Sequence, residues 1–445
     1  MADAALKEAR AAAPGLEVEV YLSRARDRGI ELKEGRPEIL SEAAEEGLGL
    51  RLGDGERMAF VSAGGLAPGL AADLARRAAA QLPLVTPDAS RRLPEPGSLG
   101  TVVLAALPGT LEDPGAFAVP LQSYAERLRA LSARAKRADR RVRKVLQAGF
   151  GESFSEMAIA SVRGVRAYER GSSQSVGVSV VAGAGSEIQV GSGYTAQHRP
   201  EALSWEQAAD DAVFRATVLL GAKKLPTKRR DVLFDPWVAG DVLDLLAGPL
   251  SAEAVQRGRS LLKGRLGMRV ASRAVTLVDD PHLPGGLASA LYDDEGLPTR
   301  TKLMVEKGML KDYFFDSATA AKAGRASNGS AARGGYRGLP GPSPTNLHLR
   351  PGRLTREALL KDTADGILVF EIMGMHTADP VSGEFSVGVS GVAVRRGELT
   401  HGIRGGMLSG NVLQLFGAVD AVADDLVCYG SLAAPTFRVA KMTVA

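Results

Sequence analysis

Val394-Arg395-Arg396-Gly397-Glu398-Leu399-Thr400 reads as a β-hairpin, with a short arm on each side and Gly397 at the turn. Val305-Glu306-Lys307-Gly308-Met309-Leu310-Lys311 repeats the pattern. Strand-like runs surround the two, at 275–278, 302–307, 311–315, 366–373, 385–389, 391–396 and 398–402. Several hairpins in succession imply a large antiparallel sheet that closes on itself. Residues 226–445 are therefore expected to form a β-rich, barrel-like domain. Two helices should open it. Asp235-Pro236 is an N-cap followed by proline at the first helical position. Gly248-Pro249 breaks that helix, and Ser251 can cap a second one in the run 249–269.

The first half has a different texture. Residues 4–13 read as a helix ended by Pro14-Gly15. Leu16, Val18, Val20 and Leu22 then alternate as one face of a strand. Segments 29–35, 47–53 and 57–62 follow as strands, and 70–82 as a helix. After a proline-scattered stretch, 83–119, the order repeats. Helix 120–138 precedes strands at 142–148, 152–162, 164–170, 174–183 and 186–195. Ser204-Trp-Glu-Gln207 has the capping-box form and opens a helix with Trp205, Ala209, Ala212, Ala216 and Leu219 inward. The expected fold class is α+β. An N-terminal α/β sandwich-like domain of antiparallel strands and helices spans 1–225. Its two subparts, about 1–85 and 120–222, are joined by the proline-rich linker. The polar, proline-broken run 223–230 marks the boundary with the second domain.

A chain of 445 residues, 45% hydrophobic and 24% charged, can bury large cores without metal or disulfide staples. Cys428 is the one cysteine, so no intramolecular disulfide can form. The net charge of +4 is small for this length. The basic residues between 134 and 144 have no aromatic residues among them for base stacking, and read as a solvated helix end. No run of about 18 apolar residues occurs. A cytoplasmic protein without direct nucleic-acid or membrane contact is expected.

The chemistry is sparse. His198, His282, His348, His376 and His401 are scattered, and none lies near Cys428 in sequence. No Gly-x-Ser-x-Gly elbow occurs. Cys428, in Asp425-Leu-Val-Cys-Tyr-Gly430, reads as a buried thiol. The glycine-rich stretch 324–338 lacks the Lys-Ser/Thr of a phosphate loop and reads as a loop bordering a cleft. Glu253 is a lone carboxylate on the helix after Ser251. A zinc-hydrolase helix needs two imidazoles beside such a glutamate, and neither is present.

Several stretches together resemble the TldD/PmbA family, once called modulators of DNA gyrase. They are 251–260, His282-Leu-Pro-Gly-Gly-Leu-Ala-Ser289, Tyr292-Asp-Asp-Glu-Gly-Leu-Pro-Thr299, Glu306-Lys-Gly-Met-Leu-Lys311, the 324–338 loop, 366–374, 377–385 and the Cys428 tail. Asp293-Asp294-Glu295-Gly296 is the most specific. TldD-type members look like zinc metallopeptidases, with His-Glu-x-x-x-His on a helix and a cysteine near the C-terminus. PmbA (TldE) types are similar without the histidines. Here Glu253 matches the motif glutamate, Ala252 and Arg257 stand at the histidine positions, and Cys428 matches the cysteine. The resemblance implies a subunit with no catalytic zinc or other cofactor. Its implied partner is a TldD-type metallopeptidase that carries the zinc and trims unfolded or leader-type peptides. The implied physical role is to hold an extended peptide, with Asn328, Gly329, Arg333 and Tyr336 as the expected groove, and to pair with itself when the partner is absent. Two other readings stay open: an independent hydrolase using Cys428 with His376 or His401, and a gyrase-binding protein.

Overall fold

The alternation of Val18, Val20 and Leu22 does not stop where the glycines suggest. In the computed structural model, which describes residues 1–95, 111–113 and 115–445, it continues as one strand, β1 (Glu17–Lys33). It pairs on one side with β2 (Arg36–Gly53) and on the other with β4 (Val142–Ser161). β3 (Met58–Gly64), β5 (Arg166–Ala184) and β6 (Glu187–Gln197) complete an antiparallel sheet in the order β3-β2-β1-β4-β5-β6. The segments expected at 142–148 and 152–162 are one strand, as are those at 164–170 and 174–183. Gly149, Gly151 and Gly171 weaken a strand locally, but ladders to both neighbours at Gly149 and Gly151, and to β4 at Gly171, carry the chain through them. Of the linker expected at 83–119, Pro96, Pro108 and Pro114 lie outside the described residues.

Four helices cover one face of this sheet. α1 (Ala2–Ala12) and α2 (Leu70–Gln81) seat on Val18, Val20, Leu22 and Ala160. α3 (Tyr124–Ala138) and α4 (Trp205–Val218) seat further along, on Ile30, Leu32, Ala148, Phe150 and Val176. All these sheet residues are even-numbered, and alternation puts them on the same side. The two expected subparts thus share one continuous sheet. Trp205, Ala209, Ala212, Ala216 and Leu219 are all buried, as their spacing implied. The capping box is not made, because Ser204 accepts no side-chain cap bond. α4 lies so close to β6 that a Cβ at Gly193 would stand 2.0 Å from the Ala208 carbonyl oxygen.

The second half begins with β7 (Lys228–Phe234) and α5 (Pro236–Ala247), whose start is capped by the Asp235 side chain. α6 (Ala252–Gln256), the second helix expected in the run 249–269, is five residues long. Gly258 turns left-handed at φ +71 and ends it, and Ser251 makes no side-chain cap bond. Next come β8 (Leu277–Asp279), β9 (Lys302–Glu306), β10 (Met309–Leu310) and α7 (Ser317–Lys322). The ribbon of β11 (Ala331–Ala332) and β12 (Gly341–Pro342) precedes β13 (Leu347–Leu349), α8 (Arg356–Lys361), β14 (Asp365–Met373), β15 (Glu384–Arg395) and β16 (Glu398–Asn411). α9 (Val412–Gly417), β17 (Val419–Val422), β18 (Leu432–Ala433) and β19 (Phe437–Val444) end the chain.

Both hairpins read from the sequence form. Lys307-Gly308 and Arg396-Gly397 have positive φ at both central positions, the geometry a two-residue turn needs to follow strand twist. The barrel expectation is met by β16-β15-β14-β7-β19, closed by the pairing of Leu408 with Val444. A second sheet, β10-β9-β8-β13-β18, packs beside it around Phe314, Leu347 and Val275. The run 311–315 is not a strand. Asn328 instead pins its backbone. No helix among the described residues is long and apolar enough to cross a membrane.

Candidate functional site

The face of the N-terminal sheet opposite the helices meets the C-terminal half around Gly47 and Gly49. Gly47 and Gly49 leave a notch there. A Cβ at Gly47 would lie 2.5 Å from the Tyr336 ring, and one at Gly49 would lie 2.5 Å from the Tyr336 carbonyl oxygen. Tyr336 fills the notch with 4% of its surface exposed. Beside it lies a buried ion network. The Arg51 guanidinium donates to Glu19 at 2.8 Å and to Glu295 at 2.9 Å, while Arg333 also binds Glu19. Burial pushes the Glu19 carboxyl up, but Arg51 and Arg333 outweigh it and hold the group below its usual range. The second oxygen of Glu295 accepts from the Ser317 amide at 2.8 Å, which joins α7 to the network.

Two clefts open on either side of the β11–β12 ribbon. The first, about 450 Å³, is bordered by Tyr21, Glu169, Asp293, Asp294 and Tyr336. Burial raises the Glu169 carboxyl to about 7. Burial, with Glu295 nearby, raises Asp293 to about 8. Asp294 is also raised by burial, and accepts from Tyr21 Oη at 3.2 Å. Each acid keeps its proton in the folded chain at pH values where the unfolded chain has lost it. The stability this contributes is whole below about pH 4 and is lost as pH rises through about 7 and 8. Urea unfolding should therefore show stability falling between pH 5 and pH 8. Glu169→Gln should flatten the part of that fall that lies below about pH 7. A midpoint that rises over this range in the parent chain would contradict the assignment.

The second cleft, about 460 Å³, contains the helix whose sequence matches the metallopeptidase motif. It is bordered by Arg91, Arg92, Glu253, Arg257, Asp316 and Lys322, with Met58, Leu339 and Pro340 as an apolar wall. Arg257 Nη2 binds Glu253 Oε1 at 2.6 Å, one helical turn away. Ala252 is buried in the core and presents a methyl group. An alanine methyl offers no lone pair, and a permanently charged guanidinium repels a cation. These donors do not fit a catalytic zinc. Among the described residues no group of three or more His, Cys, Asp or Glu side chains is placed to hold a metal ion.

The remaining candidates are dispersed. Cys428 is half-buried next to Tyr429, whose ring packs edge-on against Trp237, and it does not border either cleft. Burial raises its thiol, which disfavours the reactive thiolate. The recorded side-chain bond of His401 is to Thr400, and His376 is on the turn after β14. Neither is bonded to Cys428. His198 spans the two halves, with ring nitrogens 2.7 Å from the Ser172 and 2.9 Å from the Gly286 carbonyl oxygens. Asn328 and Gly329 are buried, and so is the Arg333 side chain. Asn328 holds the Phe315 amide, Gly329 accepts from Lys302, and Arg333 serves the ion network. Three of the four residues expected to form the groove are thus engaged in internal contacts. Of the four, Tyr336 alone borders a cleft. The acids of Asp293-Asp294-Glu295 were legible as a motif, but their place under the N-terminal sheet was not, since pairing across 244 residues leaves no local signal.

A β-barrel unit is docked under a helix-covered sheet, and α6 borders the cleft beside the β11–β12 ribbon. Models of the PmbA/TldA metallopeptidase match the chain in three successive parts: domain 1 at residues 18–82, the central domain at 116–220 and the C-terminal domain at 227–445. The chain belongs to the PmbA/TldD family. A metalloprotease of Methanocaldococcus jannaschii is 35% identical over 219 residues, 48% of each chain. Metalloprotease PmbA of Escherichia coli O157:H7 is 28% identical over 240 residues, 53% of this chain and 51% of that one. The matched region spans about half the length of these curated relatives. The solved structure of a Thermotoga maritima protein named as a modulator of a DNA gyrase has a TM-score of 0.88 at 26% identity, covering 100% of this chain and 99% of that one. TldE from Thermococcus kodakarensis matches the fold with a TM-score of 0.88 at 21% identity, covering 99% and 98%.

Proposed function

We propose that this chain is a PmbA/TldE-like non-catalytic subunit of a TldD-type zinc metallopeptidase complex, acting in the cytoplasm on unfolded or leader-type peptides. The observation that carries this reading is the Arg257–Glu253 ion pair. The glutamate that would take a proton from a metal-bound water is neutralised by the side chain at the second histidine position, and the first position is a buried alanine. What the site retains is a cleft beside a short β-ribbon, suited to holding an extended peptide next to a catalytic partner. The raised Cys428 thiol, without a bonded histidine, weighs against an independent cysteine hydrolase.

The test is zinc content and peptide cleavage by the purified chain, alone and mixed with a TldD-type partner from the same source. The expected result is no bound zinc and no cleavage alone, with cleavage in the mixture exceeding that of the partner by itself. About one zinc per chain, or cleavage by the chain alone, overturns the reading.

A further inference from the structure

The second cleft has charge its own residues do not balance. Lys322 and Arg91 both lean on Asp88, at 3.0 and 3.5 Å, so two cations share one carboxylate. The neighbouring Arg92 donates through Nε to the Ala89 carbonyl at 3.1 Å, and among the described residues no ion pair is recorded for it. The other charges are matched except that of Asp316, whose carboxylate caps α7 through the Thr319 amide, so the cleft keeps a surplus of one positive charge. Arg257 binds Glu253, and Arg51 lies within the network of Glu19 and Glu295. The surplus positive charge is thus concentrated at one end, where the 88–92 segment faces α7. Beside it the wall is apolar, and Leu339 leaves 44% of its surface exposed.

We infer that this cleft binds the carboxylate end of an extended peptide whose last side chains are apolar. Arg92, Arg91 and Lys322 receive the carboxylate, and Leu339, Pro340 and Met58 receive the adjoining side chains. The inference deepens the peptide-holding reading above and rests on it. Guanidinium groups suit a carboxylate because their donors form a planar fork, and such charge-assisted bonds are the stronger kind. The space, about 460 Å³, is of the size that takes a residue or two and not a folded segment. A side-chain carboxylate offers the same chemistry as a terminal one, so the two sources must be separated by experiment.

The probes are three N-terminally fluorescein-labelled peptides of one apolar sequence: a free acid, a C-terminal amide, and an amide with one internal glutamate. Anisotropy titrations use the full chain without a partner. The free acid should bind at least about ten-fold tighter than the plain amide, the scale of a charge-assisted bond. Arg92→Gln with Lys322→Gln should abolish most of that preference, and both sites are exposed enough for the fold to survive. Leu339→Asn should weaken the free acid and plain amide alike. Equal binding of acid and amide, no binding of either, or a preference that survives the double variant overturns the inference. Equal binding of the internal-glutamate amide and the free acid overturns the terminal assignment. The accessory-subunit reading fails by a different sign, namely cleavage in the mixture no greater than by the partner alone.

Discussion

Arg51→Met is expected to lower the free energy of unfolding by roughly 3–5 kcal/mol, the cost of leaving buried charges without their partner. Glu19 and Glu295 are 0% and 1% exposed, and both depend on this guanidinium. Removing Arg51 leaves Glu19 with Arg333, and Glu295 with the Ser317 amide. Neither substitute matches the charge that was lost. Arg51→Lys should recover only part of the stability, because an ammonium cannot make the two-pronged contact with Glu19 and also reach Glu295. The control is Arg26→Met. Arg26 pairs with Glu42 at the surface, with side-chain exposures of 45% and 55%, and its loss should change stability by less than about 0.5–1 kcal/mol. Urea unfolding of the three variants checks the ordering. An Arg51→Met loss no larger than that of Arg26→Met would show that the network does not bind the two halves together.

Trp205→Ala should cost about as much, roughly 3–5 kcal/mol, by a different mechanism. Trp205 is 2% exposed and stacks on Phe150, with ring centroids 5.5 Å apart. Tyr124 stacks on Phe150 at 3.8 Å and lies 6.3 Å from the Trp205 ring. Arg127 lies over the Trp205 ring at 4.0 Å. The three rings join α3, β4 and α4, so the cavity left by alanine has walls on three elements and cannot collapse by moving one side chain. Trp205→Phe should retain most of the stability. Trp237 remains as a fluorescent reporter in both variants, and denaturant titration followed by circular dichroism gives an independent measure. A loss below about 1 kcal/mol for alanine would mean that α4 is held chiefly by its alanine contacts with β6.

The sequence made the local structure readable where one face is buried. The inward residues of α4 and the Lys307-Gly308 and Arg396-Gly397 turns followed directly from spacing and turn chemistry. Glu34-Gly35 turns β1 into β2 with the same positive φ at both positions, but it was hidden by reading Gly29 and Gly35 as strand ends. The glycines inside β4 and β5 misled for a related reason. Glycine weakens an isolated strand, yet within a sheet the ladder sets the conformation. The short length of α6 was not legible, because the run after Gly258 keeps helix-forming residues. At the site, Glu253, Ala252 and Arg257 could be read directly, since their significance lies in adjacent positions. That Asn328 and the Arg333 side chain are buried was not legible, because burial by a distant part of the chain has no signature in the loop itself.

β1 carries Val18, Val20 and Leu22 under one helix pair and Ile30 and Leu32 under the other, with no slip in its pairing to β4. The two hydrophobic layers are consequently phase-locked. Shifting the strand by one residue would turn both sets of side chains outward at once, so no error can be confined to one layer. Such a sheet proofreads its own assembly. Its helix pairs settle in a single joint arrangement, and amides along the central strands should exchange as one cooperative block.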